Sequence, residues 1–245
     1  MIEVQGLAKT FGHVIAADGV SFTASDGEVT GLLGPNGAGK TTSMRMIYGL
    51  AHPDKGSVWI DGRNCTGNPV EVAKRLGVLP DSRGLYPRLT TREHVRYFGE
   101  LHGLSGPSLD RRVVEVIGQL AMERIADRRV QGFSQGERVK VALARALVHD
   151  PGNILMDEPS NGLDVMSTRA LRALILRLKR NGKCVLFSSH VMHEVAAVCD
   201  RIVVIAGGRV VAGGTTDEIV RKTGKSTLED AFVDLTGSPE EFMET

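Results

Sequence analysis

The chain has 245 residues, of which 30 are lysine or arginine and 29 are aspartate or glutamate, so its formal net charge is +1. This balance supplies no global field to attract nucleic acid or an anionic membrane, so nucleic acid is not expected as a partner. Apolar residues make up 42% and charged residues 24% of the chain. These values are typical of globular proteins and exclude wholesale disorder.

No apolar run reaches the roughly 20 residues that a helix needs to span a bilayer, and the first residues lack the features of a secretory signal. The three cysteines are odd in number and widely spaced, which favours a reducing compartment and argues against a zinc site. We therefore expect a cytoplasmic protein.

Short apolar segments of strand length alternate with longer segments of helical periodicity along the chain. The predicted strands cover residues 2–7, 20–23, 28–33, 57–60, 76–79, 153–156, 184–188, 202–206 and 209–212. The predicted helices cover residues 40–49, 69–75, 91–103, 108–121, 135–149, 166–181 and 190–199, with shorter ones after Thr215 and Thr227.

The order of these elements predicts an α/β fold. Segments 29–33, 154–156 and 185–187 are almost continuously apolar, which is typical of strands buried on both faces of a parallel sheet. Between about residues 80 and 150 the strand signal stops and several helical patterns follow one another. This shift predicts an all-helical subdomain inserted into the α/β core.

The link between the third predicted strand and the first predicted helix fits the phosphate-loop pattern G-x-x-x-x-G-K-[ST]. Its sequence is Gly34-Pro35-Asn36-Gly37-Ala38-Gly39-Lys40-Thr41, followed by Thr42. The glycines allow successive N–H groups to surround a phosphate, and the N-terminus of the following helix adds its dipole. Lys40 is expected to reach the β- and γ-phosphates, and Thr41 to place its hydroxyl on Mg²⁺. The alternative is a glycine-rich turn in which Lys40 and Thr41 are incidental.

The predicted strand 153–156 ends in two acids, Asp157 and Glu158. Beside a phosphate loop, Asp157 is expected to hold Mg²⁺ through water, and Glu158 to polarise the attacking water. The alternative is that the two acids only form a polar exit from the core. Together with the phosphate loop they predict hydrolysis of a nucleotide.

The helix predicted after Ser134 offers a second anion site. Ser134 and Glu137 have the spacing of a capping box, which by itself explains both residues. The free N–H groups and positive dipole end of such a helix also favour an anion, at a position remote in sequence from the phosphate loop.

With Ser134-Gln135-Gly136-Glu137 placed shortly before the Asp157 strand, the chain resembles the nucleotide-binding subunit of an ABC transporter over essentially its whole length. The resemblance implies a P-loop NTPase fold with a mostly parallel core sheet, an N-terminal antiparallel β subdomain and an inserted α-helical subdomain. It implies one domain over residues 1–245. The α/β core would cover 1–80 and 151–220, the helical signature subdomain 81–150 and a C-terminal helical tail 221–245.

The resemblance also implies residue roles. In this family the signature segment caps the γ-phosphate of ATP held by the other protomer, which implies that role in trans for residues 134–137 and a homodimer that forms on ATP binding. Asp164 resembles the aspartate of the family's D-loop, His190 the switch histidine at the γ-phosphate, and Phe11 the aromatic that stacks on adenine. The implied catalytic residues are Lys40, Glu158 and His190, and the implied cofactors are ATP and Mg²⁺. Without the resemblance, His190 would be a helix cap or surface residue, and Phe11 a core residue ending the first strand.

Two departures from the family pattern matter. Gln135 and Glu137 replace the usual glycine and glutamine of the signature. Asp81 stands where the family's Q-loop has glutamine, and Coulomb repulsion disfavours a carboxylate near polyphosphate unless Mg²⁺ intervenes. Either Asp81 ligates the metal through water or it has lost the role, and both readings stay open.

Segments 79–93 and 228–237 most resemble those of ATPases that partner ABC-2-type permeases, in particular NatA-type sodium exporters. The resemblance implies an energy-coupling subunit that drives a separate ABC-2-type integral membrane permease and lies on the inner face of the cell membrane. The alternatives are an exporter of a drug, lipid or polysaccharide, a soluble ABC ATPase acting on ribosomes or DNA, and a regulatory ATP-binding module. The near-neutral charge argues against polynucleotide binding, and the complete set Lys40, Asp157, Glu158 and His190 argues against a module without turnover.

Overall fold

Ten strands form two sheets in residues 1–82 and 84–237, which are the residues that the computed structural model describes. The strands are β1 (Ile2–Phe11), β2 (Val14–Ala24), β3 (Val29–Leu33), β4 (Lys55–Ile60), β5 (Arg63–Asn64), β6 (Leu76–Leu79), β7 (Asn153–Met156), β8 (Cys184–Ser189), β9 (Arg201–Ala206) and β10 (Arg209–Gly214). The helices are α1 (Lys40–Ile47), α2 (Pro69–Arg75), α3 (Thr91–Leu101), α4 (Gly106–Gln119), α5 (Gln135–Leu147), α6 (Val165–Arg180), α7 (Met192–Val198), α8 (Thr216–Thr223) and α9 (Leu228–Thr236), with a 3-10 turn at Glu123–Ile125.

The larger sheet has the strand order β10-β9-β3-β8-β7-β6. Its strands from β9 to β6 run parallel, and β10 is antiparallel to β9. Along β8, Val185 and Phe187 pack into one apolar cluster and Cys184 and Leu186 into another, so the strand is buried on both faces, as its continuous apolar run predicts.

This topology brings the residues of the predicted site together. The carboxyl ends of parallel strands meet at one edge of a sheet, where ligands bind in α/β folds. The segments that follow β3, β6, β7 and β8 therefore come together, with Leu33 opposite Ser189 and Met156 opposite Phe187 in the register.

The smaller sheet is antiparallel, with the order β2-β1-β4-β5. Its hairpin of β1 and β2 is longer than predicted, because the outer halves of both strands are largely exposed and lack an apolar run. Gly6 and Gly19 have positive φ angles of 61° and 72°, and register shifts interrupt the pairing. Both features disturb the period-two pattern on which strand prediction depends.

Helices α3, α4 and α5 lie between β6 and β7, and the described part of residues 81–150 contains no strand beyond an isolated bridge between Thr90 and Arg129. The predicted fold class, with its parallel core, antiparallel sheet and helical insertion, is confirmed. The residue boundaries of the subdomains stay a prediction, and Arg83 and residues 238–245 of the predicted tail lie outside the described residues. Of the helices in the described ranges, none is long and apolar enough to cross a membrane.

Candidate active site

The phosphate loop joins β3 to α1 and leaves the N-terminus of α1 available to an anion. Gly39, the residue before α1, has a φ of 101° and offers no side-chain cap, and the first turn of α1 contains no acid. The free N–H groups and positive dipole end can therefore bind phosphate. A Cβ on Gly39 would lie 2.2 Å from the carbonyl oxygen of Ala16, and one on Gly34 would lie 2.3 Å from that of Ile205. Only glycine fits at these two positions.

Lys40 is buried, with 5% of its surface exposed, and its ammonium group closes the loop. Its Nζ donates to the carbonyl oxygens of Gly34 and Pro35 at 2.7 and 3.1 Å and lies 3.5 Å from Oε1 of Glu158. The ammonium group thus stands between the loop and the acid that follows β7, where it can exchange the two carbonyls for phosphate oxygens.

Asp157 follows β7 and has 1% of its surface exposed. Its Oδ1 accepts hydrogen bonds from Ser188 Oγ at 2.6 Å and from Thr41 Oγ1 at 3.5 Å. Burial raises the pKa of Asp157, the Ser188 hydrogen bond opposes that rise, and the charges of Asp81 and Glu158 add to it. Oδ2 is buried and has no hydrogen-bond partner among the described residues. An unpaired carboxylate oxygen beside a threonine hydroxyl fits the preference of Mg²⁺ for hard oxygen ligands.

Glu158 is held by three contacts. Its N–H donates to Ser188 Oγ at 2.9 Å, Oε1 faces Lys40, and Oε2 lies 2.9 Å from Nδ1 of His190. Its backbone has a φ of 46°, a left-handed conformation that costs about 1–3 kcal/mol for a residue other than glycine. A strained backbone of this kind persists where the surrounding contacts fix the geometry. In this conformation the Glu158 carboxylate faces the phosphate loop.

Many of these groups line one cavity of about 530 Å³, although Asp157 is not among the lining residues. It is bordered by Val14, Ile15, Ala16, Asn36, Gly37, Ala38, Gly39, Lys40, Thr41, Thr42, Asp81, Glu158, Asn161 and His190. The cavity therefore brings together most of the phosphate loop, Asp81, Glu158 and His190, which the sequence places far apart.

Apolar side chains at the end of the first hairpin stand beside this cavity. Phe11 is 54% exposed, Val14 66% and Ile15 59%, so Phe11 is not a core residue. Lys9 Nζ lies 5.5 Å from the centre of the Phe11 ring. Val14 and Ile15 border the cavity directly, whereas Phe11 is not among its lining residues. The expected stacking of Phe11 on adenine stays a prediction.

The predicted signature residues are not among the residues that line this cavity. Ser134 is exposed and caps α5: its Oγ accepts from the Glu137 N–H at 3.2 Å, and the Glu137 carboxylate accepts from the Ser134 N–H at 2.8 Å. Gly136 faces Ser167, whose Oγ would lie 2.6 Å from a Cβ at position 136. Asp164 caps α6 by accepting from the Ser167 N–H at 2.8 Å. The capping box expected from the sequence is thus present, with Ser134 and Gln135 exposed and Gly136 and Glu137 half-buried.

Several residues at the site were given no role by sequence reasoning. Ser188 bridges Asp157 and the Glu158 backbone, and Glu194 accepts hydrogen bonds from Ser160 and Ser189. Ser188 and Ser189 follow an apolar run directly before His190. Two hydroxyl side chains at the end of a buried parallel strand could have indicated a role for Ser188. No pattern marks Glu194, because it depends on how α7 packs.

Residues 17–161 match the family model described as ABC transporter, which is the family implied by the motifs now seen around one cavity. The chain belongs to the ABC transporter family. This ABC protein is 44% identical over 221 residues to the ABC transporter ATP-binding protein NatA of Bacillus subtilis (strain 168), with 90% of each chain covered. It is 36% identical over 220 residues to the Nod factor export ATP-binding protein I of Ralstonia nicotianae, covering 90% of this chain and 68% of that one.

Solved structures of ABC ATP-binding subunits share the fold. An ATP-binding subunit of an ABC transporter has a TM-score of 0.88 and 31% identity, and the match covers 97% of this chain and 100% of that one. A dimeric ATP-binding cassette in a post-hydrolysis state with ADP and Pi has a TM-score of 0.79 and 27% identity, covering 88% and 98%. The ABC protein is accordingly an ATP-binding subunit and an ATPase, as its sequence predicts.

Proposed function

We propose that two copies of the subunit bind Mg²⁺ and ATP between them and that hydrolysis drives a separate membrane permease. One observation supports this proposal most strongly. Lys40, Glu158 and His190 converge on the phosphate-loop cavity, while residues 134–137 of the same chain are not among its lining residues. The signature stands at the N-terminal end of α5, where the helix dipole favours an anion, and it is available to cap a nucleotide bound by a second copy.

The chain's own residues supply positioning and proton transfer. Lys40 would exchange the Gly34 and Pro35 carbonyls for β- and γ-phosphate oxygens. Glu158, fixed by its backbone bond to Ser188 and its contact with His190, would accept a proton from the attacking water. His190 lies in the same cavity and would contact the γ-phosphate.

Thr41 and Asp157 would hold Mg²⁺, since they present a hydroxyl and an otherwise unpaired buried carboxylate oxygen. When bound, the ion neutralises charge on the β- and γ-phosphates. Asp81 borders the same cavity and is the third candidate oxygen donor.

The permease is proposed to be of the ABC-2 type, with the subunit docked on the inner face of the membrane. The resemblance of segments 79–93 and 228–237 to the ATPases of NatA-type sodium exporters supports this class and makes sodium the first cargo to test. Similarity to a Nod factor export ATP-binding protein favours a larger organic cargo as the alternative. Reconstitution with a candidate permease in vesicles, using Glu158→Gln as the inactive control, would separate the two by measuring ATP-driven sodium flux.

The composite site is tested by mixing two inactive variants. Lys40→Ala loses its own phosphate contact and Ser134→Arg blocks its own signature, so each alone should hydrolyse little ATP. In a mixed dimer, the Ser134→Arg copy supplies an intact phosphate loop and the Lys40→Ala copy an intact signature, so activity should return. The matched control mixes Lys40→Ala with Glu158→Gln, whose defects leave no intact site in any pairing. Equal inactivity of both mixtures would contradict the composite site.

A further inference from the structure

A second cavity, of about 370 Å³, lies between α5 and α6, apart from the nucleotide cavity. Its size is within the range of small-molecule sites. Side chains that are almost fully buried line it, and they include Val139, Leu143, Leu171 and Leu174, which are between 2% and 6% exposed. A ligand in this cavity would therefore contact apolar side chains of the protein core.

Three cations border this apolar groove: Lys140 on α5, and Arg177 and Arg180 on α6. Arg177 donates to the carbonyl oxygen of Gln119 at 2.7 Å, and Lys140 to that of Ala121 at 3.4 Å. Because these carbonyls are two residues apart at the end of α4, the two charges converge at one place. Arg180 lies three residues beyond Arg177, on the same face of α6.

None of the three cations forms an ion pair within residues 1–82 and 84–237, and the described lining contains no carboxylate. Among the acids of the neighbouring segments, Glu115 pairs with Arg112, Glu137 pairs with Arg128, and Asp164 caps α6. A guanidinium carries five N–H donors and an ammonium three, so Arg177 and Lys140 keep donors beyond those bound to the carbonyls. The groove thus combines an apolar floor with positive charge that no carboxylate of its described lining neutralises.

We propose that this groove binds a free medium-chain carboxylate of the fatty-acid class. The alkyl chain would lie on the floor between α5 and α6, and the carboxylate would face Lys140, Arg177 and Arg180. At about 30 Å³ for each water molecule, the volume of the cavity equals that of roughly a dozen waters. An alkyl chain of about ten carbons occupies a similar volume. A small inorganic anion would leave the apolar floor unfilled, and a neutral alkane would leave the charges unpaired.

Such a ligand would have a consequence for the signature. Gly136 and Ser167 border one end of the groove, so an occupant lies between the helix that carries Ser134 and the helix that follows the D-loop. Binding of the carboxylate does not depend on the proposed composite ATP site. An experiment that rejects one of these two proposals therefore leaves the other untouched.

The test is calorimetric titration of the full chain, saturated with ADP so that the nucleotide cavity is filled, with decanoate below its micellar concentration. One decanoate should bind per chain. Decanol should bind at least fivefold more weakly, and butyrate and decyltrimethylammonium should not bind. Equal affinity for decanol and decanoate, or binding of many decanoates per chain, would overturn the proposal.

Variants locate the site. Ala170→Phe fills the groove from an exposed position on α6 and should weaken decanoate binding at least tenfold. Arg180→Gln should weaken it about two- to fivefold, the scale of one exposed charge pair. The matched control is Arg221→Gln, which removes an arginine from the last turn of α8 and should change nothing. Unchanged affinity in folded Ala170→Phe would overturn the proposal; if that variant does not fold, equal affinities of Arg180→Gln and Arg221→Gln would overturn it.

Discussion

Asp81 borders the nucleotide cavity, and its charge acts to raise the pKa of the buried Asp157. A like charge nearby disfavours ionisation of the buried Asp157 unless a cation is bound near it. Within the described residues, Oδ2 of Asp157 also has no hydrogen-bond partner. We therefore favour a role for Asp81 in holding Mg²⁺ over a role confined to contact with the permease.

For Asp81→Asn, the Mg²⁺ concentration at half-maximal hydrolysis should rise about 5–30-fold, because a water-mediated contact to a charged group contributes about 1–2 kcal/mol. ATP affinity in EDTA should stay nearly constant, since no metal is then involved. Asp81→Gln restores the glutamine of the family pattern and serves as the comparison. Superimposable Mg²⁺ titrations of wild type and Asp81→Asn would exclude the metal role.

The sequence could predict which charged residues meet at the site, because a phosphate loop and an acid pair that both follow buried strands have few other uses, although β8 separates those strands in the sheet. It could not predict the left-handed backbone of Glu158, since that conformation depends on the Ser188 contact from the neighbouring strand. Nor could the sequence predict whether Phe11 is buried. The exposure of an aromatic residue at a strand end depends on the length of the hairpin, and no sequence pattern indicates that length.

At the scale of elements, α3 and α5 offer a natural comparison. Each begins with a complete capping box, Thr90 with Glu93 and Ser134 with Glu137. The two caps make the same reciprocal hydrogen bonds, and Glu137 also lies 3.3 Å from Arg128, but only the second cap lies at the predicted interface with another copy. Their loss should therefore have similar effects on stability and different effects on function.

Glu137→Ala and Glu93→Ala should each lower the free energy of unfolding by about 1 kcal/mol, the usual scale of an N-terminal cap. Glu137→Ala should also lower ATP hydrolysis, because fraying of α5 displaces Ser134 from a bound γ-phosphate. Urea unfolding and steady-state hydrolysis of both variants check this. Equal activities at equal stability loss would mean that α5 is only a structural helix.

Most core elements could be predicted because burial on both faces of the sheet imposes continuous apolar runs at β3, β7 and β8. The short strand β5 and the 3-10 turn could not, since Arg63 and Asn64 are exposed and a single turn has no usable period. Helix α7 begins at Met192 rather than at His190, because the chain after β8 must first turn out of the sheet edge.

For the whole molecule, a buried histidine links stability to pH. His94 is fully buried between Tyr86 and Phe98, with ring-centre distances of 5.7 and 5.2 Å. Neither of its ring nitrogens has a hydrogen-bond partner among the described residues. Burial lowers the pKa of His94 to about 4, with a smaller effect from the charge of Arg145.

Because the unfolded histidine has a pKa near about 6.5, the unfolded chain binds a proton between pH ~6.5 and ~4 that the native chain does not. Stability is therefore complete above this window and falls on acidification through it. His94→Phe should make the melting temperature less dependent on pH between these limits, whereas substitution of the exposed His13 by Gln should not. An unchanged pH slope in His94→Phe would contradict this account.

Hydrolysis is proposed to need two molecules rather than one, since the phosphate loop and the signature of the same chain do not line one cavity. An ATP that cannot be hydrolysed should stay bound between two copies and hold them together. Glu158→Gln removes the proposed base but leaves Lys40, Thr41 and Asp157 to bind ATP and Mg²⁺. Its mass should be measured by light scattering with and without Mg²⁺ and ATP. We expect a monomer without nucleotide and a dimer with ATP; a Glu158→Gln protein that binds ATP and remains a monomer would rule out the composite site.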